Sequence, residues 1–279
     1  MTLASAQGTS CVLVTGGTGK VGQHAVPAIE QRGLVARVLS RRQRPLEAPA
    51  ARQWVQADLL RDDLSPAVEG VDAVIHLASE KSASDKDVTA TRRLLAAAKS
   101  ASVRHFVAIS IIGCDRIPLP FYRTKVEIES AVREGSVPWS IARVAQFHSF
   151  VERLVAAAAI SPLPTPFIGD LRFQAVDERE VAEFLLDIAL GAPAGDAPEI
   201  AGPEVIDLAD AARLWLAANR SSATLIPVQM EALFERAPSV PPWVRPVLEG
   251  YRDGLNTPRG ARTLGRVTFA EWLQRRALG

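Results

Sequence analysis

A glycine-rich turn near the start of the chain has the clearest chemical meaning. An apolar run at residues 11–14 leads into it, and a helical pattern at residues 21–32 follows. Glycines let a buried strand turn sharply into a helix, whose first amides and positive dipole end then favour a pyrophosphate. A glycine triplet alone is a weak signal, but this context is the one that dinucleotide binding requires. The predicted contacts are Thr15, Gly16, Gly17, Thr18, Gly19, Lys20, Val21 and Gly22.

A hydroxyl and two guanidinium groups follow the second apolar segment, at Ser40, Arg41 and Arg42. Sites that prefer NAD place an acidic side chain about 20 residues after the glycine turn, where it holds the ribose hydroxyls. Charge-assisted hydrogen bonds from arginine suit the 2′-phosphate of NADP instead. The sequence therefore predicts NADP(H) over NAD(H). A solvated basic loop is the alternative interpretation.

Two further strand ends add candidate cofactor contacts. Asp58 is predicted to meet the adenine amino group while Leu59 packs on the ring, although a helix-capping role for Asp58 is an open alternative. His76 is expected to face the core. The next three residues are predicted to run beneath the cofactor ribose, namely Leu77, Ala78 and Ser79.

The elements that must position these residues alternate between strands and helices. Short apolar segments predict strands at 11–14, 35–39, 53–57, 73–77, 105–110 and 139–144. Segments with helical spacing predict helices at 21–32, 88–101, 121–133, 147–159, 178–190, 208–219 and 269–277. This order predicts an α/β, Rossmann-like, doubly wound parallel sheet with a small C-terminal substrate-binding lobe.

We expect a flexible N-terminus at residues 1–9 and a single NAD(P)-binding domain at 10–279. Its cofactor part is predicted mainly at 10–145 and its substrate lobe mainly at 146–279. The four prolines within residues 238–246 are expected to interrupt helices around them.

Composition narrows the classes of partner. The chain has 279 residues, 48% hydrophobic and 23% charged, with a net charge of +1, as expected of an ordinary globular protein. It has no basic field for nucleic acid, and its longest apolar run, at 154–160, is too short to span a membrane. Two distant cysteines, Cys11 and Cys114, indicate reduced thiols, with no metal site. We therefore expect a cytoplasmic protein with no nucleic-acid or membrane partner.

Together these motifs resemble the NmrA-like branch of the atypical short-chain dehydrogenase/reductase superfamily. The likeness covers nearly the whole chain and rests on the glycine turn and on segments 40–42, 110–113, 121–125, 143–147, 176–182, 201–204 and 268–273. The resemblance implies one Rossmann-like domain with a C-terminal substrate lobe. Members of this family include NADPH-dependent reductases, quinone reductases and redox-sensing regulators that have no turnover.

The resemblance also implies three catalytic candidates: Ser110, Tyr122 and Lys125. A hydrogen-bond donor and a proton source are needed where hydride addition leaves negative charge on oxygen. Lys125 follows Tyr122 by three residues, whereas the catalytic pattern has four. NmrA-like sequences share this spacing, and there the lysine is expected to hold the nicotinamide ribose. Tyr122 as an aromatic pocket wall, Ser110 as a small residue that clears space and Lys125 as an exposed helix lysine are the alternatives.

Substrate contacts are expected after the fifth and sixth strands, since open α/β sheets bind ligands at the carboxyl edge. The predicted contacts are Ile111, Gln146, Phe147 and His148, and His148 is also a possible acid. Arg143 is interpreted as structural, paired with a carboxylate or a carbonyl.

These observations favour an NADPH-dependent reductase that transfers hydride to a small carbonyl, quinone or conjugated ketone. One alternative is a non-catalytic, NADP-sensing regulatory protein. Another is an enzyme that uses bound NADP for a redox-neutral isomerisation. A small-molecule substrate is the predicted partner, and both a monomer and a homodimer are compatible with the sequence.

Overall fold

The computed structural model describes residues 10–79, 85–236 and 241–278, and the predicted flexible segment 1–9 lies outside them. The chain forms two compact units. Unit 1 contains Met1–Ile109, Thr124–Ala142 and Val181–Ala197. Unit 2 contains Ser110–Arg123, Arg143–Glu180 and Pro198–Gly279. The chain first enters unit 2 at Ser110.

A parallel sheet forms the centre of unit 1. Its main strands, numbered along the chain, are β1 (Cys11–Thr15), β2 (Val35–Ser40), β3 (Gln53–Gln56), β4 (Ala73–His76), β5 (His105–Ile111) and β6 (Trp139–Val144). Their order is β6-β5-β4-β1-β2-β3, and the last residues of β5 and β6 belong to unit 2. Thr15 pairs with both Leu39 and His76, so β1, β2 and β4 end together. The predicted doubly wound, Rossmann-like sheet is confirmed.

Helices cover this sheet, and all of them except the short helix at Ser65–Val68 were predicted from helical spacing. They are α1 (Gly22–Gln31), α2 (Ser65–Val68), α3 (Asp85–Ser100), α4 (Pro120–Glu134), which begins in unit 2, and α6 (Glu178–Leu190). Val12, Leu13 and Val14 of β1 have no exposed surface, as expected of a strand that is buried on both faces. That burial fixes the end of β1, from which the glycine turn leaves.

The described residues of unit 2 form short strands and further helices. Its helices are α5 (His148–Ala158), α7 (Leu208–Ala218), α8 (Met230–Arg236), α9 (Val244–Arg252) and α10 (Phe269–Leu278). Its strands are β7 (Thr165–Ile168), β8 (Arg172–Phe173), β10 (Glu199–Ala201), β11 (Ile206–Asp207), β12 (Leu225–Val228) and β13 (Arg262–Leu264), and β9 (Gly195–Asp196) extends the sheet of unit 1. The sequence analysis did not predict these short strands.

The C-terminal part contains the predicted helices α5, α7 and α10, together with α8 and α9, which were not predicted. Phe269 and Leu273 are buried, and Trp272 stacks on Phe269, so α10 docks by the expected face. In the proline segment, Pro238 lies outside the described residues, Pro241 and Pro242 precede the start of α9, and Pro246 lies in its first turn. A proline ring is tolerated there because the amide it replaces has no intrahelical acceptor. In the described part of the chain, no helix combines the length and the apolar character needed to cross a membrane.

Candidate active site

The turn between β1 and α1 accepts no side chain at its two ends. Gly16 has a φ of +67°, and an added Cβ would lie 2.8 Å from the backbone of Leu77 and Ala78. An added Cβ at Gly22 would overlap the carbonyl oxygen of Gly16. Only glycine fits these positions. The backbone cradle before α1 therefore fits the pyrophosphate of a dinucleotide, which the amides of a helix start bind.

Thr15 fastens this cradle to the neighbouring strand. Its buried hydroxyl accepts hydrogen bonds from the amides of Leu77 and Ala78, both at 3.2 Å, and lies 2.7 Å from His76 Nδ1. His76 Nε2 lies 3.0 Å from the Thr91 hydroxyl, which donates to a main-chain carbonyl. This geometry makes His76 a neutral ring that donates through Nε2. His76 lies in the core, as predicted.

A pH-dependent stability follows from the burial of His76. Burial, and then the charge of Lys125, lower the pKa of His76 to about 3 from 6.5. Between those two values the unfolded chain binds a proton that the folded chain excludes, so stability falls as the pH falls. Below pH 6.5 we expect His76 to lower the free energy of unfolding by about 1.4 kcal/mol for each pH unit. Urea unfolding of the wild type and of His76→Leu at pH 7 and pH 5 measures it.

The difference in unfolding free energy between the wild type and His76→Leu should be smaller at pH 5 than at pH 7. The wild type loses stability because its fold excludes the proton, whereas the leucine variant has no imidazole to protonate. A difference that stays constant with pH would contradict the prediction.

The loop after β2 is held by side chains of β3. Trp54 Nε1 donates to the carbonyl of Arg42 at 3.0 Å, and Gln56 Nε2 donates to that of Arg41 at 3.3 Å. The Ser40 hydroxyl accepts from the amide of Arg42 at 3.1 Å. Arg41 and Arg42 themselves are exposed. The loop thus has a defined backbone and presents two positive charges at the end of β2, with Ser40 turned into the loop.

Asp58 closes the turn after β3. Its Oδ1 accepts from the amide of Leu60 at 2.9 Å, and its own amide donates to Asp62 at 2.7 Å. Leu59 packs against the apolar core. Asp58 thus closes a turn and does not cap a helix, and its contact with adenine, like that of Leu59, stays a prediction.

Two predicted cofactor residues meet in unit 1. Lys125 is 5% exposed, and its ammonium group donates to the Ser79 hydroxyl at 3.1 Å. Ser79 in turn donates to the carboxylate of Asp87 at 2.8 Å. The sequence analysis missed Asp87, although an acidic residue in the first turn of a helix that follows a strand end was a usable signal. A lysine held in this way is a fixed positive charge that can bind ribose hydroxyls.

Unit 2 holds a buried cluster of hydroxyl and amide groups, which we call the tyrosine cluster: Tyr122, Gln146, Tyr251 and Asn256. The Tyr122 and Tyr251 hydroxyls lie 2.6 Å apart, and Gln146 Nε2 donates to Tyr122 Oη at 2.9 Å. Asn256 Nδ2 donates to Gln146 Oε1 at 3.0 Å. Burial raises the pKa of both phenols above the ordinary value.

Sequence reasoning missed two members of this cluster. Tyr251 and Asn256 lie 129 and 110 residues from their partners, and no local motif marks them. Gln146, predicted to touch substrate, uses both ends of its amide within the cluster. Its contact with a substrate stays a prediction.

Ser110 lies near the end of β5 in the same unit. It is 2% exposed, and its hydroxyl lies 3.7 Å from the Cys114 sulfur. Gly113, with a φ of +82°, packs against the backbone of Leu255 and Asn256, where any Cβ would clash. The turn after Ser110 thus packs on the segment that carries Asn256. Ile111, the residue after Ser110, is half-buried.

The residues after β6 separate into different surroundings. His148 is 1% exposed, its Nε2 donates to the carbonyl of Val267 at 3.0 Å, and its ring packs against both Phe269 and Trp272. Burial lowers the pKa of His148. Phe147 is half-buried at the start of α5. The substrate contacts of both residues stay predictions, and so does the acid role of His148.

Arg143 pairs with the Asp115 carboxylate at 2.9 Å, which confirms the structural role predicted for it.

A protein-family comparison identifies the first part of the chain. The family model described as NAD(P)H-binding matches residues 16–190. The (4-alkanoyl-5-oxo-2,5-dihydrofuran-3-yl)methyl phosphate reductase of Streptomyces griseus is 30% identical over 70% of this chain and 69% of its own length. The divinyl chlorophyllide a 8-vinyl-reductase of Oryza sativa is 29% identical over 63% of this chain, which spans half of that relative's length. The photosystem II assembly factor Ycf39 of Trieres chinensis is 27% identical over 63% of this chain and 58% of its own length.

Solved structures share the fold at low sequence identity. An NADPH-dependent quinone oxidoreductase from Escherichia coli aligns over 95% of this chain and 99% of its own, with a TM-score of 0.71 and 18% identity. A nucleoside-diphosphate-sugar epimerase from Staphylococcus aureus aligns over 94% and 99%, with a TM-score of 0.75 and 16% identity. At these identities the likeness establishes the fold alone.

Proposed function

We propose that this protein is an NADPH-dependent reductase of a small carbonyl, quinone or conjugated ketone. The chain belongs to the NAD(P)H-binding family of atypical short-chain dehydrogenase/reductase proteins. The family assignment confirms the resemblance found in the sequence and the oxidoreductase class that it implies. Substrate class and the choice of NADP(H) are the proposed parts.

The cofactor half of the proposal depends on the cradle between β1 and α1. Gly16 and Gly22 leave space that any side chain would fill. Lys125, buried and fixed on Ser79, supplies a positive charge for the nicotinamide ribose. Exposed Arg41 and Arg42, with no acidic residue at the end of β2, favour the extra phosphate of NADP. These features together support NADP(H) as the cofactor.

The proposed reduction depends on hydroxyl groups that can donate a proton or a hydrogen bond to the substrate oxygen on which negative charge develops. A bound reduced nicotinamide supplies hydride to a substrate carbon. The electron pair displaced from the substrate double bond moves onto oxygen, where Tyr122 gives its phenol proton and Ser110 donates a hydrogen bond. The Tyr122 phenolate then regains a proton from solvent.

Among possible substrates we favour a carbonyl conjugated with a carbon–carbon double bond. The name of the Streptomyces griseus relative describes a dihydrofuran that carries an oxo and an alkanoyl group, and the Oryza sativa relative is named for a vinyl group. Hydride addition to such a double bond leaves negative charge on a carbonyl oxygen, and Tyr122 and Ser110 can stabilise that charge.

A non-catalytic NADP-sensing protein is the second candidate. Tyr122 is 3% exposed and its hydroxyl already has partners in the tyrosine cluster, which would also suit a purely structural phenol. In this alternative, cofactor binding changes the affinity for a protein partner and no substrate is reduced.

A turnover panel separates these candidates. We expect the purified protein to oxidise NADPH, followed at 340 nm, with at least one member of a panel of quinones, enones, butenolides and aldehydes. Gly22→Ala, which closes the cradle, is the matched control and should lose both NADPH binding and turnover. Tight NADPH binding without turnover on any panel member would favour the sensor.

A further inference from the structure

We propose that Tyr251 and Gln146 are the two hydrogen-bond donors that stabilise the Tyr122 phenolate, and that Asn256 is a positioning residue that fixes the orientation of the Gln146 amide. The inference rests on the proposed function, in which Tyr122 gives a proton to substrate. It assigns roles to two residues, Tyr251 and Asn256, that lie outside the glycine turn and the serine–tyrosine–lysine set.

The hydrogen bonds at Tyr122 Oη determine what this phenol can do. A phenol oxygen offers one donor and at most two acceptor positions. Gln146 Nε2, at 2.9 Å, can only donate, so it fills one acceptor position. Tyr251 Oη, at 2.6 Å, fills the second when it also donates. The proton of Tyr122 then remains available, and both neighbours already point at the oxygen that becomes negative.

The direction of the Gln146 amide follows from a fixed main-chain group. Asn256 donates through Nδ2 to the carbonyl of Arg172 at 2.9 Å, and a main-chain carbonyl can only accept. The same Nδ2 group lies 3.0 Å from Gln146, which must therefore present Oε1 to it. Nε2 of Gln146 then faces Tyr122. The carbonyl of Arg172 thus determines the orientation of the Asn256 amide and, through it, that of the Gln146 amide. This removes the usual ambiguity of amide flips.

Neutral donors have a clear purpose at this position. Burial raises the pKa of Tyr122, and the hydrogen bonds from Tyr251 and Gln146 lower it, while the nearby Cys114 thiol raises it when ionised. In the usual catalytic pattern a lysine four residues after the tyrosine supports the phenolate. Here Lys125 follows by three and donates to Ser79. The two neutral donors therefore take over the stabilisation of the phenolate.

The composition of the chain allows a direct test without any cofactor, because Tyr122 and Tyr251 are its only two tyrosines. Labelling tyrosine with ¹³C at Cζ gives one resonance for each phenol, and Tyr251→Phe leaves Tyr122 alone. We expect Tyr251→Phe to raise the pKa of Tyr122 by roughly 1–2 pH units, the worth of one hydrogen bond to a charged group. A fluorinated tyrosine, which is a stronger acid, brings the titration into the range where the protein is folded.

Asn256→Leu tests the positioning role. It removes the donor that orients Gln146, and the pKa of Tyr122 should rise although no atom bonded to Tyr122 has changed. Asn219→Leu is the matched control: Asn219 is exposed at the end of α7, and its loss should leave the titration unchanged.

The outcomes separate this inference from the proposed function. If neither Tyr251→Phe nor Asn256→Leu moves the titration of Tyr122, the inference is wrong, whatever the turnover. If the variants do not fold, the wild type decides: Tyr122 must ionise before Tyr251, and the reverse order would overturn the inference. If the titration shifts as expected but Tyr122→Phe retains full turnover, the hydrogen bonds are assigned correctly and the acid role of Tyr122 fails.

Discussion

Tyr122→Phe is expected to reduce turnover by roughly 10²–10⁴-fold while the dissociation constant for NADPH stays nearly the same. Tyr122 is 3% exposed, and the substitution removes only its hydroxyl from the tyrosine cluster while it keeps the ring that packs there. A positioned acid contributes only when negative charge develops on the substrate, so kcat should fall and cofactor binding should not. Single-turnover kinetics on a substrate from the panel, with calorimetry for NADPH, measure the two quantities separately.

Two matched variants give this result its meaning. Tyr251→Phe removes the partner hydroxyl and should cost less turnover than Tyr122→Phe, since it weakens the acid without removing it. Lys125→Ala should instead weaken NADPH binding, because its ammonium group is the positive charge fixed at Ser79. If Tyr251→Phe proved the more damaging of the two tyrosine variants, Tyr251 would be the proton donor. Near-normal turnover in Tyr122→Phe would make Tyr122 a pocket wall.

The sequence predicted the strand, turn and helix of β1 and α1 well because their signals are local. The apolar run of β1, the glycine turn and the start of α1 all lie within residues 11–22, and each restricts the next. Gly16 and Gly22 occupy positions where the structure has no space for a side chain, so the glycine pattern reports geometry directly. Prediction succeeded where residue type and backbone conformation depend on the same few neighbours.

The tyrosine cluster shows where local reasoning ends. Tyr251 lies on α9, and nothing near it in sequence indicates a partner 129 residues away. Gln146 was chosen as a substrate contact because it follows β6, yet its amide is held between Tyr122 and Asn256. A polar residue at a strand end can face a ligand or complete a buried network. Only the tertiary contacts distinguish these outcomes.

The short strands of unit 2 escaped prediction for a related reason. β8 and β11 have two residues each and, within the described residues, pair only with one another. Two residues cannot display the alternation by which a strand is recognised. Such pairs exist because the chain around them is already folded, so their signal lies in the partner strand and not in their own residues.

Cofactor preference is the other property with a large expected change. Arg41→Ala combined with Arg42→Ala should weaken NADPH binding by roughly 10²–10⁴-fold, because each charge-assisted hydrogen bond to the 2′-phosphate contributes about 1.5–3 kcal/mol. NADH binding should change little, since NADH carries no such phosphate. Calorimetric titration of both cofactors into the wild type and the double variant measures the preference and its loss.

Arg44→Ala is the matched control for that experiment, because Arg44 is an exposed arginine of the same loop whose guanidinium group donates to the carbonyls of Ala48 and Pro49, at 3.3 and 2.7 Å. Its removal changes the local charge by one and leaves the end of β2 intact, so it should reduce NADPH binding only as far as general attraction acts. The contribution of this general attraction also falls as salt is added, whereas contacts between arginine and phosphate are screened less.

Arg41 and Arg42 have their backbone fixed by Gln56 and Trp54, so their loss should remove a formed site and not a diffuse charge. Equal dissociation constants for NADPH and NADH in the wild type would show that the two arginines are only a solvated basic loop.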